Sequence, residues 1–244
     1  RSCTRAVRSG CASCARSSTS WRATDTSAPE PAATPGERVR SLGILGGTFN
    51  PPHLGHLAIA RHARSELGLE HVVLMPAGAP PHKPIAQDPG AARRVEMCRL
   101  LLDGVAGVSV CALELERDGP SYTVDTLRAV HESHPQAELT FIVGADIAST
   151  VPEWHEAPEL LRLAELAVAA RPGSDRRGVI GALAPLGAPA RVRFLDAPLL
   201  DVSSSAVRER ARAGEPIEQL VGAPIAGYIA EHGLYGARTR VASR

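Results

Sequence analysis

Two histidines in a glycine-rich turn are the first residues whose type and spacing suggest chemistry. His53 and His56 lie three residues apart around Gly55, and Gly46-Gly47 precedes them at the end of an apolar run. Glycines let a backbone approach a ligand closely, and the helix expected after the turn points free N–H groups into the same space. Imidazoles there can donate hydrogen bonds to phosphate oxygens, and a protonated one adds charge. One histidine alone would more simply cap or pack the helix, but the pair favours phosphate binding.

A second candidate phosphate site lies near the C-terminal end of the chain. Ser203, Ser204 and Ser205 stand where a helix is expected to begin, and Arg208 follows one turn later. Serine caps helices whether or not a ligand is present, so a purely structural role is an open alternative. Hydroxyls, helix N–H groups and a guanidinium together can also bind phosphate.

Alternating strand and helix patterns begin at residue 39 and must position both sites. Apolar runs predict strands at 39–45, 72–75, 108–115, 139–143, 166–170 and 192–195. Helical spacing predicts helices at 54–67, 91–102, 122–131, 158–163, 179–186, 204–213 and 224–231. This alternation predicts an α/β fold: a Rossmann-like doubly wound parallel sheet with C-terminal helices. Ligands should bind at the carboxyl ends of the strands where the strand order reverses, and the loop after residue 46 lies at such an end.

Composition divides the chain into a predicted domain and two tails. Residues 1–38 are rich in Arg, Ser and Pro without helical or strand periodicity, so we expect a disordered tail there, a domain over 39–236 and a second tail over 237–244. Residues 1–40 carry a net charge of +4 and the remainder −3. A mildly acidic body argues against a nucleic-acid partner, and no apolar run is long enough for a membrane span. Five cysteines without a paired framework favour a reducing, cytoplasmic location.

The turn His53-Leu54-Gly55-His56 resembles the (H/T)-x-G-H signature of the nucleotidyltransferase superfamily. Val202–Arg208 is similar to its I-S-S-T-x-I-R motif, with Ser205 in place of Thr. The resemblance implies the nucleotidyltransferase type of Rossmann-like fold and catalytic roles for His53, His56 and Arg208. It further implies an ATP site made of these three residues together with Gly46, Gly47, Thr48, Phe49, Gly55, Arg171, Ser203 and Ser204.

The middle of the chain resembles the nicotinate-nucleotide adenylyltransferases of bacterial NAD synthesis. The segments that carry this resemblance are Pro120–Leu127, Phe141–Asp146, Pro152-Glu153-Trp154 and Arg171-Pro172-Gly173. The resemblance implies that Trp154 stacks on the pyridine ring and that Tyr122 and Thr123 meet its carboxylate. Aromatic residues make up only 3% of the chain, which makes Trp154 informative, although a tryptophan can also simply close a core.

Two further residues are assigned to the mononucleotide with an alternative beside each. Lys83 stands on a long loop that is similar to the family's P-P-H-(K/R) stretch and could reach the mononucleotide phosphate, or could be an ordinary solvated lysine. Asp146 follows a strand end and could accept a ribose hydroxyl, or could cap a helix.

The resemblance implies transfer of the adenylyl group of ATP to nicotinate mononucleotide, giving deamido-NAD and pyrophosphate. Mg²⁺ is expected to bind through the ATP phosphates, without a protein metal site. Alternatives are transfer to nicotinamide mononucleotide, pantetheine phosphate or FMN, cytidylyl transfer, or a non-catalytic nucleotide sensor with the same fold. A homo-oligomer is possible within the family.

Overall fold

A computed structural model describes residues 39–81, 85–170, 175–187, 191–196 and 200–237. The predicted tail over 1–38 and residues 238–244 of the predicted C-terminal tail lie outside these ranges. In the described residues the apolar runs form one parallel sheet in the order β3-β2-β1-β4-β5-β6. The strands are β1 (Ser41–Gly47), β2 (His71–Pro76), β3 (Val108–Val110), β4 (Glu138–Gly144), β5 (Ala164–Ala169) and β6 (Val192–Leu195). The prediction of a doubly wound parallel sheet is therefore confirmed.

Helices cover both faces of this sheet. They are α1 (Leu54–Glu66), α2 (Ala91–Leu102), α3 (Thr123–Ser133), α4 (Ala145–Ala148), α5 (Ala157–Leu163), α6 (Arg176–Leu183), α7 (Ser204–Ala213), α8 (Glu218–Val221) and α9 (Ala223–Glu231). Single 3₁₀ turns occur at Leu113–Leu115, Val151–Glu153, Ala184–Leu186 and Leu234–Gly236. The short helices α4 and α8 were not predicted, because four residues are too few to show a helical period.

The core has two layers, one on each face of the sheet. Buried side chains of α1, α2, α7, α8 and α9 pack on one face. Those of α3, α5 and α6 pack on the other. Strands covered on both faces are apolar throughout, which explains runs such as residues 72–75. The two cysteines within the described part of the chain, Cys98 and Cys111, are buried, one in each of these layers.

The strand order reverses between β1 and β4. Ile44 of β1 pairs with Val73 of β2 on one side and with Phe141 of β4 on the other. The carboxyl ends of β1 and β4 therefore lie side by side, with one loop leading to α1 and the other to α4. This is the crevice where ligands bind in open α/β sheets.

The strand predicted over residues 108–115 is shorter in the structure. Pairing follows the register Leu74↔Val110, and the Cys111 N–H still donates to the Leu74 carbonyl. The β2 strand then ends at Pro76, which has no N–H with which to continue the ladder. The chain turns instead, and residues 113–115 form a 3₁₀ turn at the edge of the crevice. Among the described helices, none is both long and apolar enough to cross a membrane.

Candidate active site

The histidine loop (residues 46–56) ends in a rigid helix start. His53 is the N-cap of α1, with an extended backbone (φ −147°, ψ 169°). Its N–H donates to Nδ1 of His56 over 3.1 Å, and the two imidazole rings stack with centroids 3.7 Å apart. Phe49, which is 1% exposed, packs edge-on against His56 at 4.9 Å. Both rings are thus fixed in place at the first turn of α1.

The surroundings of His56 decide its protonation state. Burial, and secondarily the neighbouring His53, holds the pKa of His56 well below its usual range. His56 is therefore neutral at pH 7, and because Nδ1 accepts a hydrogen bond, its proton resides on Nε2. Of the two roles considered for an imidazole here, the structure favours the neutral N–H donor over the added positive charge for His56.

The segment before α7 packs directly on the start of α1. A Cβ at Gly55 would lie 3.0 Å from His53 Nδ1 and 3.0 Å from Val202 Cγ1, so only glycine fits without displacing one of them. The Ser204 hydroxyl donates to the carbonyl of Pro51 over 2.8 Å. Ser203 is the N-cap of α7, and its oxygen accepts from the Ala206 N–H. The capping alternative thus describes Ser203 in this structure, while its predicted phosphate contact stays a prediction.

Asn50 joins the histidine loop to the rest of the molecule. Its amide nitrogen donates to the carbonyl of Ala86, and its Oδ1 accepts from the Tyr235 hydroxyl over 2.8 Å. Arg208 donates through one nitrogen to the Asn50 carbonyl over 2.7 Å and through another to Ser205 Oγ. Asn50 is only 2% exposed, and its bond with the Tyr235 hydroxyl is buried. Asn50 is therefore a structural residue of the loop, a role that sequence reasoning missed.

Facing the histidine loop is an aromatic wall, formed by Tyr122, Trp154 and His155. Trp154 packs edge-on against Phe141 of β4, and its indole N–H donates to Thr150 Oγ1. Tyr122, the N-cap of α3, lies against the ring of His155 with centroids 4.4 Å apart. These rings offer apolar faces to a flat ligand.

A cavity of about 650 Å³ lies between the histidine loop and the aromatic wall. Most residues predicted from sequence line it: Gly46, Gly47, Thr48, Phe49, His53, Gly55, His56, Tyr122, Thr123, Asp146, Trp154, Ser203 and Ser204. Asp146 lies in the first turn of α4, whose N-cap is Gly144. Arg208 is not among the lining residues, and Lys83 and Arg171 lie outside the described residues. The cavity has the size and mixed polarity of a small-ligand site.

The sequence is similar to a known family model and to named relatives. Residues 44–210 match the model of the cytidylyltransferase-like family. A relative from Geobacillus kaustophilus, named a probable nicotinate-nucleotide adenylyltransferase, is 40% identical over 83% of this chain and 89% of its own length. The nicotinate-nucleotide adenylyltransferase of Bacillus subtilis is 35% identical over 81% of this chain and 99% of its own. This chain belongs to the nicotinate-nucleotide adenylyltransferase family.

Solved structures agree on the fold. The nicotinic acid mononucleotide adenylyltransferase of Plasmodium falciparum, complexed with NaAD, superposes with a TM-score of 0.68 at 17% identity. The match covers 81% of this chain and 98% of that one. At this identity the likeness shows that the fold of the adenylyltransferase family is shared.

A buried polar cluster, formed by Glu114, Ser121 and Thr126, lies at the start of α3. This cluster was not predicted from the sequence. Glu114 is 8% exposed and accepts a hydrogen bond from Thr126 Oγ1 over 2.7 Å. Burial raises the pKa of Glu114, and hydrogen bonds from Thr126 and Ser121 partly oppose that rise. Ser121 Oγ in turn accepts the N–H groups of Gly78 and Ala79. The cluster thereby ties the loop after β2 to the residue before Tyr122.

No cluster of three or more His, Cys, Asp or Glu side chains that could hold a metal ion occurs in the part of the chain that the structure describes. Asp146 and Glu114 are carboxylates of the cavity lining, and Glu114 is engaged by Thr126. A divalent cation that is held mostly by water and phosphate oxygens takes at most one or two carboxylates from a protein.

Proposed function

We propose that this chain transfers the adenylyl group of ATP to nicotinate mononucleotide, giving nicotinate adenine dinucleotide and pyrophosphate. One observation carries the proposal: a single cavity holds the two stacked histidines at a helix N-terminus and the aromatic wall around Trp154. The first suits a polyphosphate and the second a flat ring. Membership of the nicotinate-nucleotide adenylyltransferase family supports the same reaction.

The nucleophile is the phosphate of the mononucleotide. Its second pKa of about 6 leaves it largely dianionic at neutral pH, so no protein base is required. One phosphate oxygen forms a new bond to the α-phosphorus of ATP while the bond from that phosphorus to the pyrophosphate oxygen breaks. The protein contributes alignment of the two phosphates and stabilisation of the charge that moves to pyrophosphate.

His56 is suited to the second of these tasks. Its neutral ring carries the proton on Nε2 and is fixed by His53 and Phe49, so it can donate a hydrogen bond to a triphosphate oxygen without reorienting. The helix starts of α1 and α7 add backbone N–H donors. We assign His53 and His56 to the α- and β-phosphates, and Ser203, Ser204 and Arg208 to the outer ones.

Tyr122, Thr123, Asp146 and Trp154 are assigned to the mononucleotide. Trp154 supplies a ring face, and Thr123 is the first residue of α3, where a free N–H can meet a carboxylate. Asp146 is exposed at the cavity and can accept a ribose hydroxyl. Lys83 and Arg171 keep their proposed roles, toward the mononucleotide phosphate and ATP.

Mg²⁺ completes the set of reactants in this proposal. It would be held by the ATP phosphates and water, and when bound it would neutralise charge on the triphosphate. We further propose a cytoplasmic location and no nucleic-acid partner.

The test is pyrophosphate release by the purified chain with ATP and each candidate acceptor. We expect turnover with nicotinate mononucleotide, and a lower kcat/KM with nicotinamide mononucleotide, pantetheine phosphate or FMN. The dinucleotide product should appear in equal amount to pyrophosphate. A chain that binds ATP but releases no pyrophosphate with any acceptor would be a nucleotide sensor, and the proposal would fail.

A further inference from the structure

Arg94 is a buried cation that the reaction described above does not use. It lies in α2 and is 0% exposed. Among the residues that the structure describes, its carboxylate partner is Asp88, with Nε 3.0 Å from Oδ1. The sequence contains a signal for it: position 94 lies on the same face of α2 as the buried Cys98 and Leu101. A buried charge is costly unless its donors are satisfied, so the partners of its remaining nitrogens matter.

Those partners are backbone carbonyls of two loops. One terminal nitrogen donates to the Thr48 carbonyl over 2.9 Å and to the Ala77 carbonyl over 2.7 Å. The other donates to the Gly78 carbonyl over 3.3 Å. Thr48 belongs to the histidine loop, whereas Ala77 and Gly78 begin the loop after β2. A single guanidinium therefore bridges the ends of β1 and β2.

The loop after β2 continues this connection to the acceptor side. Ser121 Oγ accepts the N–H groups of Gly78 and Ala79, and the Ser121 N–H donates to the Ala79 carbonyl over 2.8 Å. Ser121 directly precedes Tyr122 of the aromatic wall. The chain of contacts thus runs from Thr48 through Arg94 and Gly78 to Ser121.

Close packing makes this connection sensitive to small shifts. A Cβ on Gly78 would lie 2.4 Å from the Glu114 carbonyl oxygen, so the loop already touches the backbone beneath it. The guanidinium fork matches several carbonyls at once, whereas a lysine ammonium is a single compact donor group. Lysine at position 94 would keep the charge and lose part of the bridge.

We propose that Arg94 is a positioning residue that sets the histidine loop at the correct distance from the acceptor wall by bonding Thr48, Ala77 and Gly78 together. This inference rests on the proposed function, because it concerns the alignment of the two bound substrates. Arg94 is not among the residues that line the cavity. Its loss should leave each substrate able to bind alone and should reduce the rate of the reaction between them.

The experiment compares Arg94→Lys with Leu101→Ala, a cavity-forming change two turns along the same face of α2. For each folded variant we would measure kcat and the binding of ATP alone and of nicotinate mononucleotide alone. We expect Arg94→Lys to lower kcat by about 100-fold, as a misplacement of about 1 Å does, while each single-substrate affinity changes less than about fivefold. Leu101→Ala should keep kcat within about threefold of wild type, since it destabilises the core without moving the bridge.

A folded Arg94→Lys variant with near wild-type kcat would overturn the inference, as would an equal loss of kcat in Leu101→Ala. If Arg94→Lys does not fold, Asp88→Asn decides, because Asp88 is at the surface and its replacement removes the charge facing Arg94 while leaving an amide oxygen to accept the Gly90 N–H. Its matched control is Asp103→Asn, the same charge change at the exposed far end of α2. A fall in kcat for Asp88→Asn alone supports the inference, and equal kcat in both refutes it. A wild-type chain that makes no dinucleotide would refute the proposed function, a result separate from any difference between variants.

Discussion

The histidine loop and the aromatic wall face the same cavity but are built differently. In the histidine loop, Phe49, Asn50 and His53 are at most 8% exposed, and the carbonyl and side chain of Asn50 bond to distant parts of the protein. In the aromatic wall, the His155 side chain is 48% exposed and is held by ring contact with Tyr122 and by its Nε2, which lies 3.2 Å from Glu156 Oε1. The histidine loop is thus held by buried contacts with distant segments, whereas the His155 part of the aromatic wall is held by neighbouring side chains at the surface.

This difference fits two separate tasks. Stabilising charge on a leaving group requires donors that are already in place, because reorganisation during the reaction costs free energy. Holding a pyridine ring requires mainly apolar area and tolerates adjustment of side chains. We therefore expect changes in the histidine loop to reduce kcat and changes in the aromatic wall to raise the KM for the acceptor.

The largest expected effect is that of His56→Ala. Removal of one preorganised donor to a developing charge should lower kcat by about 100- to 1000-fold. Steady-state kinetics with saturating ATP and nicotinate mononucleotide would measure this. His155→Ala, a histidine at the other side of the cavity, is the matched control and should keep kcat within about threefold. Near wild-type turnover by His56→Ala would show that the buried pair does not act on the triphosphate.

A smaller effect is expected from Trp154→Ala. Loss of the ring face should raise the KM for nicotinate mononucleotide by about tenfold, which corresponds to roughly 1.4 kcal/mol of stacking. Trp154→Phe should recover most of that affinity, and the KM for ATP should stay within about twofold in both variants. If kcat fell strongly while the acceptor KM stayed constant, the contrast between the two regions would be wrong.

The sequence predicted the main residues of both regions but not the contacts that hold them. The histidine loop and Trp154 were found because each belongs to a short sequence motif. Strand β1 was predicted from a continuous apolar run, and α2 from apolar residues that repeat at the helical period. The partners of Asn50 and Arg94 were not predictable, since Tyr235 lies 185 residues from Asn50 and the carbonyls of Thr48 and Ala77 carry no residue-specific signal. The end of β3 depended on Pro76 of the neighbouring strand, and that dependence appears only once the register is known.

Two buried groups, His56 in the histidine loop and Glu114 in the polar cluster beside Ser121, have opposite responses to pH. The pKa of His56 is lowered, so below about pH 6.5 the unfolded chain binds a proton that the folded chain does not. Acidification from pH 7 should therefore cost stability through His56, by at most about 1.4 kcal/mol per pH unit. The pKa of Glu114 beneath the aromatic wall is raised. On acidification, Glu114 therefore takes up a proton at a higher pH in the folded chain than in the unfolded chain. The stability that Glu114 contributes to the folded chain is fully present below its unfolded pKa. That stability is lost as pH rises through its folded pKa.

Urea unfolding between pH 5 and 8 can separate these two responses, the smallest effects expected here. Relative to wild type, His56→Gln should lose less stability on acidification, because the group that the unfolded chain protonates is gone. Glu114→Gln should lose more stability on acidification, because the carboxyl that gains a proton in the folded state is gone. Parallel stability curves for wild type and both variants would contradict both the lowered pKa of His56 and the raised pKa of Glu114. Curves that diverge in opposite directions would support a lowered pKa for His56 and a raised pKa for Glu114 in the folded chain.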